Sequence, residues 1–345
     1  MIPRSPIVRA RVPLRLGLAG GGTDLSPYCD EHGGAVLNVT IDRYAYAFIE
    51  PSEDGLVHFV APDMDLEECF VPELEAIAGA KLQLHAGVLT RMAREFGGGH
   101  VTPLRVTSFV DAPAGSGLGS SSALVVALVE AFRTYLGLPL GQYDVAHTAF
   151  EIERLELGLE GGKQDQYAAT FGGANFIEFL AENRVIVNPL RVPAALLNEL
   201  ETSTVICFTG VSRRSADIIR DQTARMTGPG KDLADLHQLK ADAVEMKLAL
   251  LRGEIPHMAR VLNRSWEAKK RTASGISTAL IETLWERGRE AGAMGGKVSG
   301  AGGGGFMMFL VPPPRRMQLI RALKDAGGEA SGVHFTAEGA ESWSP

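Results

Sequence analysis

The chain has 345 residues, 45% hydrophobic and 22% charged, an ordinary balance for a globular enzyme and a length that suits two lobes better than one core. A net charge of −7 excludes a general nucleic-acid binder, which needs surplus Lys and Arg to neutralise phosphates. Three scattered cysteines (Cys29, Cys69, Cys207) exclude a disulfide framework, and no apolar run in Met1 to Leu16 suits a signal peptide or membrane span, so a cytoplasmic protein is expected.

In chain order, Ile7 to Leu18 reads as a strand ending at Gly20-Gly21-Gly22, and Ala35 to Glu50 as further strands. Ala80 to Glu95 has helical spacing, and Leu104 to Val110 is a strand feeding a glycine-rich loop. Ser120 to Leu136 is apolar nearly all round, which places that helix in the interior. Asp144 to Leu157 reads as a helix broken by Gly158, and a lobe boundary is expected near residue 195, dividing 1–195 from 196–345. Beyond it, Ser203 to Phe208 is a strand, with helices through Asp232 to Arg252 and Ile276 to Glu290. Lys297 to Val311 turns from glycine-rich to strand-like, Arg315 to Ala326 is a helix, and a last short strand is expected near Val333 to Thr336.

Glycine is the outlier, with 40 residues against a usual share of about 7%, gathered in clusters flanked by apolar segments. Pro113-Ala-Gly-Ser-Gly-Leu-Gly-Ser-Ser-Ser122 lies between a strand and a helix, where backbone N–H groups and a helix N-terminus converge on an anion. Gly115, Gly117 and Gly119 permit close backbone approach, while Ser116, Ser120, Ser121 and Ser122 offer hydroxyls around Leu118. It is neither a GxxxxGK[ST] loop nor a dinucleotide fingerprint, and a simple helix cap needs fewer glycines and serines.

That loop resembles the second signature of the GHMP kinases. Their first signature resembles Pro13-Leu-Arg-Leu-Gly-Leu-Ala-Gly-Gly-Gly-Thr-Asp24, and their third Lys297-Val-Ser-Gly-Ala-Gly-Gly-Gly-Gly-Phe306. All three occur in family order, so the resemblance covers essentially the whole chain. It implies an α+β two-lobed fold, with an N-terminal α/β lobe like ribosomal protein S5 domain 2 and a C-terminal ferredoxin-like lobe. ATP, seated on Pro113 and Gly115 to Ser122, and a small-molecule substrate would meet between the lobes.

Gly161-Gly-Lys-Gln-Asp-Gln-Tyr167 resembles the family's catalytic segment, which assigns Asp165 as base or orienting group, with Lys163 beside it to balance charge. The resemblance assigns Mg²⁺ to Glu153 and Ser121, with Glu151 as rival and the serine register open by one residue. Arg15, Gly20, Gly21, Gly22, Thr23 and Asp24 fall at the substrate, as do Gly302 and Gly303. Galactokinases carry Glu-His where this chain has Gly21-Gly22, which opens room for a longer or phosphorylated tail. With Thr209-Gly-Val-Ser-Arg-Arg214, Ser265-Trp-x-x-Lys-Lys270 and Phe335-Thr-x-Glu-Gly339, this resembles the heptose 7-phosphate branch of the anomeric sugar kinases, which serves GDP-heptose formation. Arg213, Lys269, Lys270 and Arg271 are the candidates to hold the sugar's phosphate. A neutral-sugar 1-kinase for L-fucose, arabinose or an N-acetylhexosamine is the second reading, and a non-catalytic sugar sensor the third. A homodimer is left open.

Overall fold

Val8 to Ala19 begins as an amphipathic strand, with Arg9 and Arg11 outward between apolar neighbours, and is buried on both faces from Val12 on. The computed structural model describes residues 7–211, 215–227 and 233–345. In it this strand is β1, followed by β2 (Gly34–Pro51), β3 (Val57–Ala61), β4 (Leu66–Phe70), β5 (Leu104–Val110), β6 (Ala174–Phe179) and β7 (Val185–Pro189). A second set comprises β8 (Thr204–Phe208), β9 (Gly295–Val298), β10 (Phe306–Leu310) and β11 (Glu329–Ser331), and the chain ends with β12 (Glu341–Trp343).

The first sheet runs β12-β1-β2-β5-β3-β4, with β6 also on β2 and β7 on β6. Ala35 to Glu50, expected as several strands, is one long strand whose first half pairs with β6 and second half with β5. The Ser120–Tyr135 helix lies under β1 and β2, buried along most of its length, as its all-round apolar sequence requires.

The second sheet runs β11-β8-β10-β9, all antiparallel, which is the spatial order 4-1-3-2 of a ferredoxin-like lobe. Helices Ala279–Glu290 and Arg316–Asp325 cover one face through Leu284, Leu319 and Leu323. Helices Ala234–Arg252 and Ile255–Thr272 pack together and reach both β1 and β9, so one apolar core runs from the first sheet into the second lobe.

Two differences from the sequence reading concern the chain's end. Val333 to Thr336 makes only an isolated bridge, Phe335 to Ile41, because its backbone groups are used by Asp42, Thr40 and Glu201. The last true strand, β12, pairs with β1, so the final residues join the first sheet and not the second lobe.

Gly20 ends β1 at φ +83°, and a Cβ there would overlap the carbonyl oxygen of Ala35 on β2. Gly55 has nearly the same φ, +80°, but open space around it. Gly20→Ala should therefore lose about 3 kcal/mol or more in urea unfolding, and Gly55→Ala only about 1 kcal/mol. Equal losses would mean that backbone strain, not the approach of β2, sets the requirement at Gly20.

Candidate active site

One buried arginine joins the three signature segments. Arg15 donates from Nε to Asp165 Oδ1 (2.7 Å) and from Nη1 to the Gly117 carbonyl (2.7 Å) and Ser299 Oγ (3.4 Å). Its own N–H donates to Leu118 O, and Ser299 Oγ donates to Gly117 O at 2.9 Å. Residues 117, 165 and 299 are far from Arg15 and from one another in sequence, yet its one guanidinium touches groups from all three.

Asp165 lies in the first turn of the Gln164–Phe171 helix. With Oδ1 held by Arg15, Oδ2 lies against Gly119 at the start of the Ser120–Tyr135 helix and has no partner among the described residues. Asp165, Arg15, Asp24, Gly22 and the loop from Gly115 to Ser122 border one cavity of about 580 Å³. Leu118 is fully buried behind the loop, Ser116 supports Phe306 through its carbonyl, and Gly20 and Thr23 form the turn beneath.

Asp24 is almost fully buried, with Oδ1 accepting from Gly22 N (3.0 Å) and Gln164 Nε2 (3.1 Å), and Oδ2 from Gln164 N (3.2 Å). The Gly161-Gly162 doublet makes room for two charged side chains: a Cβ on Gly161 would overlap Arg154, and one on Gly162 would overlap Asp24. Arg154 was not marked by the sequence reading. Its guanidinium donates to the carbonyls of Leu159, Glu160 and Gly162 and to Ser122 Oγ, tying the segment before Asp165 to the phosphate loop.

Two expectations are corrected. Lys163 turns away from Asp165 and donates to Asp30 Oδ1 (2.9 Å) and Asn183 Oδ1 (2.8 Å), because residues two apart at a helix start face opposite sides. Gly302 and Gly303 do not border the cavity. They pack on Ile276, whose carbonyl accepts from Gly303 N at 2.7 Å, while Gly300 and Ala301 take the place beside the loop.

Glu153 lies in a single π-helical turn, Glu151–Glu156, that follows the Gln142–Phe150 helix. It is fully buried, accepts a short hydrogen bond from Ser121 Oγ, and accepts from Gln166 Nε2 at 2.7 Å. Ser121 borders the cavity and Glu153 lies behind it, 3.3 Å from Arg154; the two supply a hard-oxygen pair of the kind that suits Mg²⁺ completed by phosphates and water. Glu151 is spent on Arg91 and His147 and does not face the cavity. A second, mostly apolar cavity of about 780 Å³ adjoins the loop at Pro113, Ala114, Ser120 and Ser121 and extends to Met64, Leu82 and His85. Burial pulls His85 down to about 4, so its ring is neutral beside Ser108. Its walls come from separate strands and helices, so no local sequence pattern announced it.

Among the basic candidates, Lys270 pairs with Glu267 and Arg271 with Asp235, while Arg213 lies outside the described residues. Lys269 faces the cavity and donates from Nζ to Gly21 O at 3.1 Å. The room comes from Gly22, where a Cβ would stand 2.9 Å from Lys269 Nζ and from Gln222 Nε2. Lys297, noticed only as the start of the third signature, extends from β9 to the backbone of Gly17 on β1. Protein crowds both ammonium groups although each side chain keeps some solvent contact. Burial pulls Lys269 down to about 8 against the opposing pull of Asp24, and burial with the charges of Lys269 and Arg15 pulls Lys297 down to about 7.

A two-lobed α+β fold with a glycine-serine loop facing a clamped aspartate defines the class. Residues 83–173 match the GHMP kinases N terminal domain and residues 246–329 the GHMP kinases C terminal, and the chain belongs to this family of ATP-dependent phosphotransferases that act on a hydroxyl group. It is 42% identical to a D-glycero-alpha-D-manno-heptose 7-phosphate kinase of Campylobacter jejuni, over 97% of this chain and 98% of that one. A crystal structure described as a D-glycero-D-manno-heptose 1-phosphate kinase from Bacteroides thetaiotaomicron superposes with TM-score 0.83 at 41% identity, covering 98% and 99% of the two chains. Lactococcus lactis galactokinase, complexed with galactose, shares the fold with TM-score 0.74 at 17% identity, covering 97% and 95%. No helix among the described residues is long and apolar enough to cross a membrane.

The depressed lysines give stability a pH dependence. Their usual value is 10.5, so above about pH 7 the unfolded chain binds more protons than the folded one, and stability rises with pH. The opposite sign applies to Cys29, Cys207, Tyr28 and Tyr167, which burial raises to about 12, so stability falls once pH passes about 9. Urea unfolding should show a gain between pH 7 and about pH 8.5, limited to about 1.4 kcal/mol per pH unit for each lysine, and Lys297→Met should flatten it. An equal gain in the variant would contradict the burial of that ammonium.

Proposed function

We propose that the chain transfers the γ-phosphoryl group of Mg·ATP to the anomeric hydroxyl of D-glycero-D-manno-heptose 7-phosphate, giving the 1,7-bisphosphate, a step that supplies GDP-heptose formation. The observation that carries this is Asp165, fixed by Arg15 with one carboxylate oxygen left open to a cavity bordered by the Gly115 to Ser122 loop. The extent of identity to the C. jejuni heptose 7-phosphate kinase supports the choice of sugar.

The triphosphate rests on the loop, where the first-turn N–H groups of the Ser120–Tyr135 helix have no intrahelical acceptors. The base takes the apolar cavity beside Pro113 and Met64. Ser121 and Glu153 would hold Mg²⁺, which would neutralise phosphate charge. The sugar lies between Asp165 and Gly22, with Asp24 and Gln164 along it. Asp165 Oδ2 accepts the proton of the attacking hydroxyl as its oxygen bonds to the γ-phosphorus and the bond to ADP breaks. Arg15 keeps the carboxylate in place, and Arg154 holds the preceding turn against the loop. The division near residue 195 serves as a working boundary between the nucleotide lobe and the second lobe.

ADP release should be measured with heptose 7-phosphate, L-fucose, D-galactose and an N-acetylhexosamine. The expected result is turnover of the heptose phosphate, reduced about 10²- to 10⁴-fold by Asp165→Asn while ATP affinity is retained. Turnover of a neutral sugar alone would favour the neutral-sugar 1-kinase. ATP binding without turnover of any sugar would favour a sensor, and a fully active Asp165→Asn would remove Asp165 from the chemistry.

A further inference from the structure

Basic residues on the Ile255–Thr272 helix are generally paired. Arg264 contacts Asp242 and Glu245, Lys270 contacts Glu267, and Arg271 contacts Asp235. Arg260 makes no ion pair among the described residues but is exposed, whereas Lys269, on the cavity wall, makes none and only a hydrogen bond to the Gly21 carbonyl. The Lys297 side chain makes no ion pair or hydrogen bond among them either, and its Nζ lies with Gln164 Oε1 against Gly17. Asp24 is the carboxylate whose charge reaches Lys269, yet both its oxygens already accept from Gly22 and Gln164.

Two enclosed ammonium groups near a third cation, Arg15, cost free energy unless an anion offsets them. The triphosphate is the wrong anion for this place. Its loop meets Asp165 at Gly119, whereas Lys269 lies at Gly21-Gly22, with Gln164 and Asp24 between. Gly22 leaves space that Lys269 and Gln222 approach from the second lobe.

We propose that Lys269 and Lys297 form a clamp for the phosphate group the sugar already carries, and that this clamp makes the enzyme select a phosphorylated sugar over its neutral counterpart. The proposal rests on the sugar-kinase reading above. The phosphate enters from the cavity that Lys269 and Gly22 border, beside an ammonium group already anchored on the Gly21 carbonyl. Because both lysines are depressed when the site holds no anion, binding takes up protons, and the preference for the phosphorylated sugar weakens as pH rises past about 8.

The test compares kcat/KM for heptose 7-phosphate with kcat/KM for the unphosphorylated heptose, in wild type, K269Q, K297Q, K269R and the control K270Q. K269Q and K297Q should each lower this preference about 10- to 100-fold, chiefly through KM for the sugar phosphate, as expected for losing a charged hydrogen bond. K269R should restore part of it, and K270Q should leave it unchanged. Equal losses on both sugars, or a raised KM for ATP with the preference intact, would overturn the clamp. A wild type that ignores heptose 7-phosphate but takes a neutral sugar contradicts the functional reading, and the clamp with it. A wild type that prefers the sugar phosphate, with K269Q and K297Q keeping that preference, contradicts the clamp alone.

Discussion

A buried guanidinium is tolerable only when its charge is paired and its donors are used, and Arg15 meets both conditions through residues from distant parts of the chain. Asp165 supplies the charge, Gly117 the carbonyl and Ser299 the hydroxyl. The loop, the Gln164–Phe171 helix and the third glycine cluster are thereby held in one register. The same contact that satisfies Arg15 orients Asp165, so the charge pair that the fold needs also sets the geometry of the proposed base. Removing either partner would leave the other charge uncompensated in a closed site.

Absent side chains define the site as much as present ones. Gly161 and Gly162 leave the volumes taken by Arg154 and Asp24, and Gly22 leaves the volume that Lys269 approaches. In each case a missing Cβ admits a charged group from elsewhere in the fold. The cavity therefore carries an uneven charge along its length: helix N–H groups at the loop, carboxylates in the middle, and the unpaired Lys269 at Gly21-Gly22. Such an arrangement suits a substrate whose reacting hydroxyl and anionic group lie at opposite ends.

Much of this was legible in the sequence because its signals are local. Leu104 to Val110 and Ser120 to Tyr135 carry their own periodicity, and the loop between them carries its own glycines and serines. The short β3–β4 hairpin escaped because His58, Glu67 and Glu68 interrupt its apolar pattern. The Ile255–Thr272 helix had a readable face in Met258, Val261, Leu262 and Trp266, masked by the charges on its other side. Directions of neighbouring side chains were less legible, since they depend on where a helix begins and what it packs against. That is why Lys163 was expected beside Asp165 although the fold turns it toward Asp30, and why Lys269 could not be told from Lys270. Lys297 and the apolar cavity depend on contacts between distant segments, for which a single sequence has no local mark.

The position of the transferred phosphate tests the account most directly. Proton-coupled phosphorus NMR of the product from Mg·ATP and heptose 7-phosphate reads it without assuming any residue's role. The account predicts a second phosphorus signal, equal in intensity to the 7-phosphate and split by the anomeric proton, with one ADP formed for each. A new phosphate on any other carbon, or ADP formed with only inorganic phosphate, would contradict it.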